Sequence, residues 1–494
     1  MKIFLESLGC SRNQVDSEIM LGKLIAGGHN IVDAPSPAEV IIVNTCGFIS
    51  SALDEAIDTI LELTKYKKTG QCRRLIVTGC LVQRYKDDPE LIAALPEVDA
   101  FLGTGACDYI VEAAESKDVN VDFDVDINSV QSVSKQGNPN SYPTTLFPLT
   151  LFPDPGHRPF YDFSEKRPLL NNHYAYVKIS EGCSRKCTYC IIPKLRGTQR
   201  SRPIRDIAQE CENLLQRGVK EIILTAENSS DYGLDMISPD TSSSDTSRGI
   251  SGNKEQNFAQ SFEQLLRQFA HVIESNNKNF QVAWGRFLYG HPESLTKSAI
   301  QIVAEHPHIC SYYDIPIQHA SSDILKKMGR PYKIKELYTL FETIKRSDPA
   351  AALRTTIITG FPGESQKDFD ILMRFIKDIR FDHLGVFVYS DSEDIKSYGF
   401  QNKVTDKTAM ERHDLIMEAQ EKISFEINTK HIGKSYDVLL EENPEPGLYV
   451  GRTMFQAPEV DGLTFIYAKG LETGSVVKVK VNDAFEYDIA GVPV

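Results

Sequence analysis

Short runs of β-branched and apolar residues, each followed by a helix-like stretch, recur from the N-terminus to about residue 395. This alternation constrains the fold more than any other feature of the chain. Strands that alternate with helices build βαβ units and a parallel sheet. Right-handed crossovers then bring successive strand ends to one edge of that sheet. The first three runs, KIFLESLGC, AEVIIVNTC and RRLIVTGC, each end in a cysteine: Cys10, Cys46 and Cys80. Ligand sites in open α/β sheets form at the carboxyl ends of strands, so these three thiols are expected to converge although they are far apart in sequence. Gly9, Gly47 and Gly79 adjoin them and are expected to let backbone approach a bulky group closely. The helix-like stretches are VDSEIMLGKLIAGG, SALDEAIDTILELTK and the segment after Arg84.

A second trio, Cys183, Cys187 and Cys190, sits in EGCSRKCTYCIIPKLRG. Three closely spaced thiolates can hold three irons of a cubane and leave the fourth open, whereas a cluster that only carries electrons takes four cysteines. The competing reading is a structural zinc loop, which needs a fourth N or S ligand. Its nearest source is His173, ten residues upstream of Cys183. The remaining Cys72, Cys107, Cys211 and Cys310 lack ligand spacing and read as small buried residues.

From about 174 to 395 the alternation gives six units, with strands expected at YAYVKIS, KEIILTAEN, FQVAWGRFL, SYYDIPIQ, LRTTIITGF and HLGVFVYS. Six units make an incomplete version of the eightfold βα barrel, whose functional residues lie at the carboxyl ends of its strands. The cysteine run follows the first strand. Glu227 and Asn228 follow the second, Gln318 and His319 the fourth, and GFPGE (Gly360, Pro362, Gly363, Glu364) the fifth. For each there is a plainer reading: helix capping by Asn228, a structural histidine at His319, and a tight turn in GFPGE. After a helical stretch from Asp406, the runs YDVLLEE, YVGRTM, TFIYAK, SVVKVKVND and FEYDIAG suggest a small β-barrel.

The Ser-, Asn- and Pro-rich tract 128–159 reads as a partly ordered linker and the polar tract 238–257 as a passive insertion on the barrel rim. The expected organisation is therefore 1–125, a parallel-sheet α/β domain; 126–170, linker; 171–429, a partial (βα)6 barrel; and 430–494, a small β-barrel. No apolar run approaches the ~18 residues that span a bilayer. Ten cysteines without a secretion signal point to a reducing, cytoplasmic setting with no membrane partner.

The motifs SLGCSRNQVDSE, NTCGFISSALDEAI and GCLVQRY, with the CxxxCxxC run, resemble those of the radical SAM methylthiotransferase family. Arg12 stands where that family often has lysine. The resemblance implies two 4Fe–4S clusters, on Cys10/Cys46/Cys80 and on Cys183/Cys187/Cys190, whose open irons face one cavity. It implies S-adenosylmethionine near Tyr189, Glu227, Gln318, Gly360, Pro362 and Gly363, and no catalytic side chain beyond the cluster ligands. It also implies a terminal TRAM-like domain and an electron donor such as flavodoxin or ferredoxin. HYAYVKISEGC, PIQHAS and APEVDG look closest to the RimO-type branch, which methylthiolates an aspartate of small-subunit ribosomal protein twelve. The alternatives are a tRNA adenosine methylthiotransferase and a non-catalytic Fe–S electron-transfer or binding protein. Charge bears on the choice: residues 431–494 hold five basic and ten acidic residues. RNA binding gains affinity by neutralising phosphates, so nucleic acid contact is not expected to be primary and a basic protein partner fits better.

Overall fold

The computed structural model describes residues 1–116, 149–157, 167–236, 254–279 and 282–494. The chain divides into two compact units: Met1–Leu170 with Glu181–Ser184 and Ile191–Arg200, and Asn171–Ser180 with Arg185–Cys190 and Ser201–Val494.

The first unit is built on six parallel strands: β1 (Lys2–Ser7), β2 (Asn30–Ile31), β3 (Val40–Thr45), β4 (Arg74–Gly79), β5 (Ala100–Leu102) and β6 (Leu149–Leu151). Their spatial order is β2-β1-β3-β4-β5-β6. Every residue of β3 is buried, as a parallel strand covered on both faces requires. Because side chains alternate across a strand, Val40 and Ile42 join one core with Met20 and Leu24 of helix Ser11–Ala26. Ile41 and Val43 join the opposite core with Ala56, Ile60 and Leu63 of helix Ser50–Thr64. Chain progression reverses between β1 and β3, which makes their carboxyl ends the topological switch point where ligands of such sheets bind.

Two expectations need correction here. The tract 128–159 is not linker throughout, since Leu149–Leu151 pairs with Ala100–Leu102 as the sheet's last strand; 128–148 and 158–159 lie outside the described residues. The helical stretch expected after Arg84 begins at Cys80 itself (Cys80–Arg84), with a second short helix at Pro89–Ala94. Gly79, at φ +100°, makes the abrupt strand-to-helix turn.

In the second unit the six expected strands are all present: β7 (Tyr174–Lys178), β10 (Glu221–Thr225), β11 (Trp284–Phe287), β12 (Tyr312–Asp314), β13 (Ala352–Thr359) and β14 (His383–Val388). Two-residue strands, β8 (Ser180–Glu181) and β9 (Arg200–Ser201), bracket the cysteine run. The six are parallel and fall into two groups, β7-β10-β11 and β12-β13-β14. A parallel bridge between Gly285 and Ile309 carries the arc from one group to the next. Of the tract 238–257, residues 254–257 open the helix Lys254–Asn279; the rest lies outside the described residues.

The terminal domain is a closed barrel of β15 (Ser435–Glu445), β16 (Leu448–Thr453), β17 (Thr464–Tyr467), β18 (Val476–Ala484) and β19 (Ile489–Pro493), ordered β15-β16-β17-β19-β18. Its last strand starts at Ile489, later than FEYDIAG suggested. This barrel closes the amino-terminal face of the partial one. Arg452 of β16 donates to Glu221 Oε2 at 2.7 Å and to Glu441 Oε1 at 2.6 Å, and Arg286 of β11 donates to Glu221 Oε1 at 2.7 Å. Both arginines also donate to Gln456 O. Alongside them, Asp461 of APEVDG accepts from Tyr312 at 2.6 Å and Arg354 at 3.2 Å. Tyr174 Oη donates to Glu459 at 2.7 Å.

Burial alone would push the Glu221 carboxyl up, but the Arg452 and Arg286 charges outweigh it and hold the group below the ordinary carboxylate range. Removing one partner of a buried ion pair costs about 3–5 kcal/mol because the other charge is left uncompensated. Glu221→Gln should destabilise the second unit by that order at neutral pH. A depressed carboxyl contributes its stability above its unfolded value and loses it as pH falls through the folded one. The gap between wild type and Glu221→Gln in urea denaturation should therefore be constant above the ordinary titration range of a glutamate and shrink as pH falls below it.

Candidate functional site

The first unit brings its three strand-end cysteines to neighbouring positions. Thr45 is in register with Gly79, so the next residues, Cys46 and Cys80, leave adjacent strands side by side. Ser7 is in register with Asn44, and Cys10 follows at the start of helix Ser11–Ala26. A Cβ added to Gly9 would lie 3.5 Å from Cys46 Sγ. Burial pushes the Cys46 thiol up; the backbone N–H of Phe48 and the Arg196 cation oppose this and Cys10 adds to it.

Two of the neighbouring glycines, Gly47 and Gly79, are demanded by close chain crossing. A Cβ on Gly79 would sit 2.5 Å from Asn44 Oδ1 and 2.6 Å from Thr45 O, and one on Gly47 2.6 Å from Leu81 N. All ten cysteines are thiols. Among the described residues, no group of three or more His, Cys, Asp or Glu converges tightly enough to hold a single metal ion. A cubane asks for a different arrangement, one thiolate per iron over the width of a cluster, and three thiols on adjacent strand ends suit that donor set.

Around Cys80 lies a polar group that the sequence reading did not assign. Arg196, 3% exposed, donates to Asn13 Oδ1 at 2.5 Å, Asp16 Oδ2 at 3.0 Å and Cys80 Sγ at 3.6 Å. Asn13 in turn donates to Thr45 O at 2.8 Å, pinning the helix to β3.

The chain passes between the units inside the second cysteine run: Cys183 belongs to the first, Cys187 and Cys190 to the second. In the first, Cys183 N donates to Gly197 O at 3.1 Å. In the second, Arg185 forms a fork with Asp231, 2.7 Å on both arms, and reaches Glu293 at 2.5 Å. Thr188 is held by N–H to Met328 O and by Oγ1 to Lys327 O. His173 precedes β7 and so sits at the strand's opposite end from the cysteines, where the Gly474 turn approaches its ring. Five residues at ~3.3 Å each put it out of reach as a zinc ligand.

Tyr189 packs with Ile324, Met328 and Phe361, and its hydroxyl accepts from Arg330 Nε at 2.9 Å. Burial holds this phenol well above its ordinary value, with the Arg330 cation opposing. Gln318 has left-handed backbone, φ +68°, between Thr356 and Ile358 of β13. Such backbone costs energy for a side chain other than glycine and clusters at functional sites, although Arg380 adopts it here simply as a helix C-cap. Tyr289, φ +63°, shares it at the end of β11. No sequence signal marks Tyr289 beyond its place at a strand end.

His319 is tied to its own loop on one side of the ring. Its Nδ1 accepts the N–H groups of Ala320 and Ser321 at 3.0 and 2.9 Å, which places the proton on Nε2, 3.8 Å from Glu364 Oε1. Glu364 folds back onto Gly360 N at 2.5 Å and pairs with Arg412 at 3.2 Å. Gly360 and Gly363, φ +78° and +81°, are turn glycines, hemmed by Ala409 and the Lys327 side chain. Pro362 lies between them. Asn228 accepts from Ser230 Oγ at 3.1 Å, and Glu227 precedes it at the end of β10. Cys72, Cys107, Cys211 and Cys310 are buried as expected.

Left-handed backbone at a residue other than glycine costs of order 1–3 kcal/mol. Gln318→Gly should therefore raise the thermal midpoint of the apo protein. If the Gln318 side chain also contacts S-adenosylmethionine, the same variant, reconstituted with iron and sulfide, should bind it more weakly by calorimetry. Unchanged affinity would remove Gln318 from the site.

Three family models cover the chain in series: the uncharacterised protein family UPF0004 at residues 2–103, the radical SAM superfamily at 177–376 and the TRAM domain at 432–494. Among solved structures, the radical S-adenosylmethionine methyltransferase TsrM from Kitasatospora setae matches with a TM-score of 0.52 at 10% identity. That match covers 93% of this chain and 80% of TsrM, and it speaks for the fold alone. Full-length relatives named ribosomal protein uS12 methylthiotransferase RimO are 42% identical in Desulfosudis oleivorans, over 99% of both chains. They are 40% identical in Clostridioides difficile, over 99% of this chain and 98% of the relative, and 37% in Geobacter sulfurreducens over the same shares. The three-part architecture, the two cysteine trios and this full-length identity agree, and the chain belongs to the RimO family of radical SAM methylthiotransferases.

Proposed function

We propose that this enzyme attaches a methylthio group to the β-carbon of an aspartate in small-subunit ribosomal protein twelve (uS12). The observation that carries the reading is the side-by-side exit of Cys10, Cys46 and Cys80 at the switch point of the first unit, in a chain that also holds the CxxxCxxC run. In this reading each trio binds a 4Fe–4S cluster and leaves one iron without a protein ligand. When bound, the clusters and S-adenosylmethionine supply the electron, the radical and the methylthio group.

The chain's own residues position and shield. Arg185, forked onto Asp231, and Thr188 fix the cysteine run over the carboxyl ends of the partial barrel's strands. Arg330 holds Tyr189 in place. Gln318, kept in strained backbone, and Tyr189 are the best supported contacts for S-adenosylmethionine. Glu227, Gly360, Pro362 and Gly363 follow β10 and β13 on the same face, the two glycines shaping the loop.

The protein substrate is favoured by the relatives' shared name and by charge. Arg452 is consumed inside the second unit. Residues 431–494 are left with four exposed lysines against seven exposed carboxylates, a poor match for phosphate and a good one for a basic ribosomal protein. That substrate places the enzyme in the cytoplasm, with a flavodoxin- or ferredoxin-type protein as electron donor and no membrane partner. No helix among the described residues is long and apolar enough to cross a membrane.

Anaerobically reconstituted enzyme, given S-adenosylmethionine, a low-potential reductant and either uS12 or tRNA, should add one methylthio group to uS12, read by peptide mass spectrometry. Modification of tRNA instead would overturn the assignment. Cys80→Ala should lose about half the iron and sulfide, since all-cysteine sites fail when a ligand goes. Full retention would remove the N-terminal trio from cluster binding.

A further inference from the structure

We propose that Arg196 tunes the cluster held by Cys10, Cys46 and Cys80, acting through the sulfur of Cys80 to make that cluster easier to reduce. This rests on the reading of the three thiols as cluster ligands. The residue belongs to the cysteine run of the barrel by sequence, six positions beyond Cys190, yet within the first unit it is packed at the strand-end thiols.

Three features separate Arg196 from an ordinary buried arginine. It is fixed, because Asp16 at 3.0 Å and Asn13 at 2.5 Å hold its guanidinium in one orientation. It is shielded from water, at 3% exposure, so its field is weakly screened. And one of its nitrogens is 3.6 Å from Cys80 Sγ, hydrogen-bonding distance for sulfur. Hydrogen bonds to ligand sulfurs and nearby charge are among the principal levers on the potential of an Fe–S cluster. A cation there favours the reduced, more negative state.

The same stretch also touches the other trio. Gly197, the next residue, accepts the N–H of Cys183 at 3.1 Å. Arg196 Nη1 also lies 3.5 Å from Glu181, two residues before Cys183. One short peptide segment thus links a ligand of each trio inside the first unit, and a shift of Arg196 is felt at both.

The test uses the full chain with Cys183, Cys187 and Cys190 replaced by alanine, which leaves the N-terminal trio alone. Iron and sulfide are quantified first, and the midpoint potential is then followed by electron paramagnetic resonance. If no iron binds, the cluster reading itself fails. With iron present, Arg196→Gln should lower the reduction equilibrium constant at least tenfold, a midpoint about 59 mV more negative for one electron. Asp16→Asn, which removes the neutralising carboxylate and leaves the cation, should move it the opposite way. Opposite signs are not expected of a merely structural pair. Should Arg196→Gln fail to assemble a cluster, Arg196→Lys is read instead. Lysine keeps the charge but loses the fork, so an intermediate negative shift supports the proposal. Wild-type potentials in cluster-loaded variants, or shifts of one sign in both, would overturn it.

Discussion

Parallel pairing of β3 with β4, Thr45 opposite Gly79, is the constraint on which the N-terminal site depends. A slip of one residue would turn every side chain of β3 to the wrong face, taking Ile41 and Val43 out of one core and Val40 and Ile42 out of the other. Burial on both faces therefore fixes the register. The register in turn fixes where Cys46 and Cys80 emerge. The chemistry of the thiols inherits its precision from aliphatic packing several residues away.

A comparable dependence runs through the second unit. Tyr174, Glu221, Tyr312 and His383 are the first residues of their strands, and all four engage the terminal domain. An incomplete barrel has an open foot, and charged groups buried there need partners. Arg452, Glu459 and Asp461 supply them. This face carries stability, which leaves the opposite, carboxyl-end face free to carry loops of function.

Much of this was legible in the sequence. The six central strands and the parallel N-terminal sheet, with Cys46 and Cys80 leaving neighbouring strands, follow from periodicity and the handedness of crossovers. What escaped has a physical reason in each case. Leu149–Leu151 is a three-residue strand in a polar tract, too short to show a period, and its partner β5 fixes it. Arg196 lies in a quoted motif, but nothing local tells that its side chain folds onto residues more than 100 positions earlier. Gly79 and Gly360 were correctly marked as special, yet the pressure on them comes from Asn44, Thr45 and Ala409, which only tertiary structure brings near. The charge count of the terminal domain was right in sign, while withdrawal of Arg452 and of Glu441, Asp461 and Asp488 from the surface leaves it less acidic than composition indicated.

The closed order of the terminal barrel has a consequence for how it meets other molecules. β17 and β19 pair in parallel and β15 pairs with β18 over Ser435–Leu439, which closes the ring and leaves a strand edge only at the tip of the β15–β16 hairpin. Around the closed part of the ring an extended polypeptide cannot be captured by adding itself to the sheet. Whatever this domain grips, it must read with outward-facing side chains and turns, and its selectivity can drift by surface substitution without endangering the barrel beneath.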